Sequence, residues 1–193
     1  MKKVAITGNM GSGKTIAVRI FESMGIPVFY ADAEAKKLYS QPFIISKIKT
    51  LFGQAVFDGD IISFPKLAAI VFNDSASLSK LESVIHPEVI NMFNQWIEKF
   101  QKVPYVMMES AIIFEKQLEK HFDTIIIVTC PIEICISRIM QRDSISRKDV
   151  MGRMKNQWDE AKKVKKAHHV IVNDGENALL PQVFELHKTL SND

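Results

Sequence analysis

Eight residues near the amino terminus, Gly8-Asn9-Met10-Gly11-Ser12-Gly13-Lys14-Thr15, bring together the groups needed to hold a chain of phosphates. They fit the phosphate-loop pattern G-x-x-x-x-G-K-[ST] without a gap. Glycines allow a backbone to wrap closely round an anion in conformations closed to residues with a Cβ, so that successive N–H groups point at it. The helix expected from Ile16 onward adds its positive end, and Ile16 completes the predicted ATP-binding run. Lys14 would bridge β- and γ-phosphate oxygens as the bond to the γ-phosphorus breaks, and the Thr15 hydroxyl would ligate Mg²⁺. By chance the pattern arises in about one chain in a hundred of this length. A dinucleotide loop would need G-x-G-x-x-G, and the spacing of Gly8, Gly11 and Gly13 does not provide it.

A phosphate loop serves switches, motors, transporters and kinases alike, so other side chains must decide among them. Asp32 follows a short apolar segment, which in an open parallel sheet puts it at a strand's carboxyl end, where ligands sit. An alcohol acceptor gains from a carboxylate that takes its proton, whereas a phosphate acceptor needs none. Asp32 is therefore a candidate base, although an aspartate at this place also suits a helix cap. Glu109 ends another apolar segment, in the place for a magnesium shell or for an ordinary surface acid. Arg138 and Arg142 share a helix face and could grip phosphate oxygens, or be solvated. The run Lys162-Lys163-Val164-Lys165-Lys166 reads as a solvated face. His86, before Pro87 in a helical stretch, has no role that residue chemistry alone assigns.

These residues need elements to hold them. Val4 to Thr7 reads as a buried strand running into the glycine turn, with helical spacing from Ile16 to Met24. Further strands are expected at Ile26 to Tyr30, Tyr105 to Met108, Thr124 to Thr129 and Val170 to Val172. Between Asp32 and about Gln101 the strand signal vanishes, and helical patterns are broken at Pro42, Gly53, Gly59, Pro65 and Pro87. From Cys130 to Ala167 the chain is helical and basic. The prediction is an α/β, three-layer P-loop NTPase fold: a five-stranded parallel sheet with an inserted helical segment and a helical lid. The core takes residues 1–31, 102–114 and part of 121–193, the helical segment about 32–101 and the lid about 115–160.

Bulk properties agree with one enzyme-sized domain: 193 residues, 47% of them hydrophobic. A net charge of +3 does not call for nucleic acid and suits a small anionic substrate. No stretch approaches the roughly 20 apolar residues of a membrane span, and MKKVAITGNM lacks the apolar run of a signal peptide. Cys130 and Cys135 lack the spacing of a zinc site and are expected as reduced core thiols. A cytoplasmic monomer or small homo-oligomer is expected.

At this point the chain resembles the dephospho-CoA kinase family nearly end to end. The likeness is carried by Gly8 to Thr15, by Ala31-Asp32, and above all by Leu81-Glu82-Ser83-Val84-Ile85-His86-Pro87. It continues in Ile112-Ile113-Phe114-Glu115, in Arg138, Arg142, Asp143, Arg153 and Gln157, and in Asn173 and Gly175. The resemblance implies ATP and dephospho-CoA as substrates, with Asp32 as the base for the 3′-hydroxyl. It also implies Lys36, His86 and Glu115 in the acceptor pocket, Arg138 and Arg142 on the ATP phosphates, and Asn173 by the adenine. The chain departs from the family pattern at Tyr30, Lys36, Ala111, Cys135 and His168, where the family often has Asp, Arg, Pro, Gln and an acid. A nucleoside, gluconate or shikimate kinase would share the loop but not the wording around His86-Pro87. A GTP-dependent switch would carry an Asn-Lys-x-Asp-like signature, and the chain has none.

Overall fold

The computed structural model describes residues 1–192. Strand β1, Lys2–Thr7, leads into the phosphate loop, helix α1, Lys14–Ser23, leaves it, and strand β2, Val28–Tyr30, follows. Val4, Ala5 and Ile6 have no exposed surface, as befits a strand with partners on both sides and cover on both faces. The chain divides into two compact units, one formed by residues 1–29 with the chain from Phe100 onward, the other by Tyr30–Lys99.

The second unit begins with α2, Ala31–Leu38, and α3, Pro42–Phe52, continues through a small hairpin of β3, Phe57–Asp58, and β4, Ile61–Ile62, and ends with α4, Phe64–Val71, and α5, Ser75–Ile97. Helices α2, α3 and α4 all pack on α5. Their buried faces supply Leu38, Ile44, Ile48, Leu67 and Val71, against Leu81, Ile85, Val89 and Phe93 of α5. Pro42 and Pro65 open their helices, where a missing N–H is harmless. Two expectations are corrected here. Pro87 does not break the chain: α5 runs through it for 23 residues, started by Asp74, whose carboxylate accepts the N–H groups of Ala76 and Ser77. The segment is also not wholly helical. Gly59, at φ 64°, takes the first central position of a two-residue turn, which is the requirement of a type II′ hairpin.

The first unit resumes with β5, Tyr105–Glu109, and β6, Thr124–Thr129, then α6, Ile132–Asp143, α7, Arg147–Met154, and α8, Glu160–Val164. It closes with β7, His169–Val172, and α9, Leu179–Asn192. The strand order is β2-β5-β1-β6-β7. This five-stranded parallel sheet puts β1 at the centre, with Ile6 paired to Glu109 on one side and to Ile126 on the other. Helices surround it, and the carboxyl ends of β1, β5, β6 and β7 place Gly8, Glu109, Cys130 and Asn173 at one end of the sheet.

Candidate active site

The phosphate loop is a turn that only its glycines permit. Gly11 and Gly13 have φ of 81° and 89°, in the left-handed region. A Cβ on Gly11 would meet the Cys135 carbonyl oxygen at 2.7 Å, and one on Gly13 would overlap Asn173 Nδ2. Gly13 is also the N-cap of α1 and brings no capping side chain, and its carbonyl accepts the Ile16 N–H at 3.0 Å, so the positive end of the helix opens onto the loop. The Ser12 N–H closes the turn on Asn9 O at 3.1 Å. Lys14 folds back over the loop and donates from Nζ to Gly8 O at 2.9 Å. Thr7 Oγ1, Asn9 Oδ1 and Ser12 Oγ are buried round this turn and have no hydrogen-bond partner among the described residues. Leaving such groups unpaired is costly, and an anion in the cradle would give the two hydroxyls an acceptor.

Two neighbours brace the loop from the sheet side. Asn173 is buried and donates from Nδ2 to Ser12 O at 2.7 Å. Arg138 leans on Asn173, with Nη1 3.3 Å from its carbonyl oxygen and Nη2 3.5 Å from Oδ1, and Nη1 also reaches Cys130 Sγ at 3.3 Å. Arg142, one helical turn on, goes elsewhere. Its guanidinium forks onto Asp143 at 2.7 and 3.2 Å, and Arg153 holds the same carboxylate at 3.0 Å. These cations hold Asp143 below the usual carboxylate range. Of the two expected phosphate-gripping arginines, the structure thus brings Arg138 to the loop and leaves Arg142 on its own acid.

In the second unit, Asp32 lies in the first turn of α2. The capping alternative does not hold, because Tyr30 is the N-cap and no side chain caps this helix. Asp32 is exposed, and its carboxylate takes part in no hydrogen bond or ion pair among the described residues. Lys36 lies one turn on, so the two share a helix face. Lys36 lines a cavity of about 410 Å³ with Tyr39, Ile45, Asp60, Ile62 and Phe64, an apolar chamber with a charged rim. Tyr39 and Phe64 meet edge to face at 5.1 Å, and burial together with the charge of Glu82 pushes the Tyr39 phenol above its ordinary range. His86 is half-buried on α5.

Glu109 is the last residue of β5. Among the described residues no three His, Cys, Asp or Glu side chains cluster as a metal cage. A single hydroxyl from Thr15 and a single carboxylate from Glu109 suit Mg²⁺, which keeps water and phosphate oxygens as its other ligands. Glu115 has side-chain exposure of only 7%; its Oε1 lies 2.6 Å from Lys163 Nζ and accepts the Trp158 N–H at 2.9 Å. Lys163 is therefore a correction to the solvated run: it has no exposed surface and also donates to Ala111 O at 3.2 Å. No residue type in the run distinguishes it from its neighbours, since its burial comes from packing against the chain after β5. The expected core thiols are as read, Cys130 and Cys135 both free and buried. Burial pushes the Cys135 thiol up to about 12.

A parallel sheet whose first strand delivers a phosphate loop, with an exposed carboxylate after the second, defines a P-loop phosphotransferase. Similarity to known proteins narrows the class. A family model described as dephospho-CoA kinase matches residues 2–178. A dephospho-CoA kinase of Bacteroides fragilis is 36% identical over 185 residues, covering 95% of this chain and 90% of that protein. One of Thermus thermophilus is 34% identical over 172 residues, covering 89% and 83%. Among crystal structures, a Thermus thermophilus protein superposes with TM-score 0.84 at 32% identity over 98% of this chain and 95% of its own. A shikimate kinase of Bacteroides thetaiotaomicron, at TM-score 0.57 and 13% identity over 98% of each chain, shares the fold alone. The chain belongs to the dephospho-CoA kinase family.

Proposed function

We infer that this phosphotransferase moves the γ-phosphoryl group of ATP onto the 3′-hydroxyl of dephospho-CoA, giving coenzyme A and ADP in the last step of coenzyme A biosynthesis. Membership of the family supports the substrates, and the phosphate loop supports the donor. The observation that carries the chemistry is Asp32, an exposed carboxylate released from any capping duty. Asp32 takes the 3′-hydroxyl proton as that oxygen attacks the γ-phosphorus. Lys14 leaves Gly8 O and meets the β- and γ-phosphate oxygens, while the loop from Gly8 to Ile16 holds the rest of the phosphate chain. Arg138 adds charge beside the loop through Asn173, with Arg142 joining when it exchanges Asp143 for phosphate. Thr15 and Glu109 would hold Mg²⁺, which supplies neutralisation of the charge developing on the phosphate oxygens. Lys36 and His86 bind the acceptor. Closure of the helical lid excludes water that would otherwise take the phosphoryl group. The two free thiols suit a reducing compartment, which supports a cytoplasmic location.

The test is coupled ADP release with ATP and Mg²⁺, with and without dephospho-CoA, for the unchanged protein and for Asp32→Asn. Acceptor-dependent turnover should fall about 10²- to 10⁴-fold in the variant while ATP binding is retained. Turnover driven by shikimate, gluconate or a nucleoside and not by dephospho-CoA would overturn the substrate. An undiminished Asp32→Asn would overturn the base.

A further inference from the structure

Lysine is almost never fully buried without a partner, and breaking a buried pair costs far more than an exposed one returns. Lys163 and Glu115 form such a pair, and what hangs from it lies next to the reaction. Glu115 Oε1 accepts the Trp158 N–H at 2.9 Å as well as facing Lys163. Through that bond it fixes the turn Gln157-Trp158, which follows α7 and precedes α8. The turn in turn holds the first half of the phosphate loop twice. Gln157 Oε1 accepts the Met10 N–H at 2.8 Å, and the Trp158 carbonyl accepts from Asn9 Nδ2 at 3.3 Å. The Met10 side chain is packed against the apolar cluster of Ile136, Ile139 and Val150, so Met10 is anchored from backbone and side chain together. Above the turn, Lys162 Nζ sits 3.5 Å from the centre of the Trp158 ring and presses it in place.

We propose that Lys163 and Glu115 are positioning residues for the ATP-binding loop, acting through the Gln157-Trp158 turn on Asn9 and Met10. Glu115 Oε1 is occupied by two donors, and its Oε2 is buried with no hydrogen-bond partner among the described residues. A loop held at Asn9 and Met10 has its shape before ATP arrives, so less ordering is left for ATP to impose. The reading rests on ATP binding at this loop, and calorimetric titration of the unchanged protein with ATP tests that separately.

The experiment uses the full chain and varies ATP and dephospho-CoA independently for Gln157→Ala, for the paired variant Glu115→Leu with Lys163→Met, and for all three changes together. The paired change replaces both buried charges with apolar side chains of similar size and removes the acceptor of the Trp158 N–H, whereas Lys163→Met alone would strand a carboxylate. Gln157→Ala touches a half-buried turn and folds whatever the pair does. The expected result is a rise in KM for ATP of about fivefold for Gln157→Ala, the worth of one neutral hydrogen bond. The paired variant should show at least as large a rise, with KM for dephospho-CoA within about twofold of the parent. Adding Gln157→Ala to the pair should change little more, because the turn is already released. The proposal is overturned if KM for ATP stays unchanged in the paired variant while its melting temperature falls, which is the signature of a brace with no effect on the loop. It is also overturned if KM for dephospho-CoA rises instead, or if the effects of turn and pair multiply in full.

Discussion

Replacing Gly13 with alanine strikes the loop at the point where backbone angle and close packing coincide. At φ 89° an alanine is held in the left-handed region at about 1–2 kcal/mol. Its Cβ would overlap Asn173 Nδ2 and come within 3.2 Å of Asn173 Cγ, so the side chain must leave its 2.7 Å bond to Ser12 O. Unpairing that buried amide and carbonyl adds about 1–3 kcal/mol. Gly13→Ala should therefore lose about 2–5 kcal/mol, which is about 4–20 °C in Tm for a chain of this size. Thermal unfolding followed by circular dichroism reads the loss, and the same melts with saturating ATP should show a smaller ligand-induced rise than the parent. Asn173→Ala alone forfeits the same bond, so adding it to Gly13→Ala should take little more away. A Gly13→Ala Tm within about 2 °C of the parent, or losses that add in full, would refute both the clash and the role of Asn173.

Glu160 is half-buried and its carboxyl is raised above the ordinary 4.5 by burial, although its Oε2 accepts the Cys130 N–H at 3.3 Å. A raised acid binds protons more tightly folded than unfolded, so stability falls as pH climbs through the window above 4.5. Glu160→Gln, which can still accept that N–H, should raise Tm at pH 7 and give no gain near pH 4; equal gains at both would show that charge burial is not the cause. Cys135, with its thiol pushed up to about 12 and buried, should resist aromatic disulfide reagents at pH 8 in the folded protein and react at once in denaturant; rapid native labelling counts against it. Asp143→Ala releases two exposed arginines from a surface pair, for which the loss is about 0–1 kcal/mol. Its Tm should stay within about 3 °C of the parent, and a larger fall would mean that the Arg142-Asp143-Arg153 group holds α6 and α7 together.

What the sequence made legible was whatever sits in a short stretch of chain. Strand β6 lies where its apolar run predicts, and β1, β5 and β7 each differ from expectation only at their ends, because a buried parallel strand announces itself by composition. The loop glycines were equally plain, since the left-handed backbone they supply is a local demand. The hairpin β3-β4 was missed because two residues a side are too few to show alternation, and Gly59 alone reads as a loop. Pro87 misled for the opposite reason. Its local effect is to break a helix, but α5 is held by the faces of three other helices, and that burial outweighs one missing hydrogen bond.

Long charged side chains were the least legible, and the two arginines of α6 show why. Their spacing puts Arg138 and Arg142 on one face and says nothing more. Arg138 meets Asn173, which reaches it only because β6 and β7 pair in the sheet, whereas Arg142 finds an aspartate next to it in the chain. Lys163 makes the same point, since its partner Glu115 lies far away in sequence and only the packing of α8 brings it within 2.6 Å. A charge pattern fixes which partners a side chain could accept, while the fold fixes which one arrives. In this chain the arrivals nearest the loop, Asn173, Arg138 and the Gln157-Trp158 turn, all come from its second half. A loop of eight residues near the amino terminus is therefore bonded to the chain just after β7 and just after α7, and substitutions there should be read first as changes in ATP affinity.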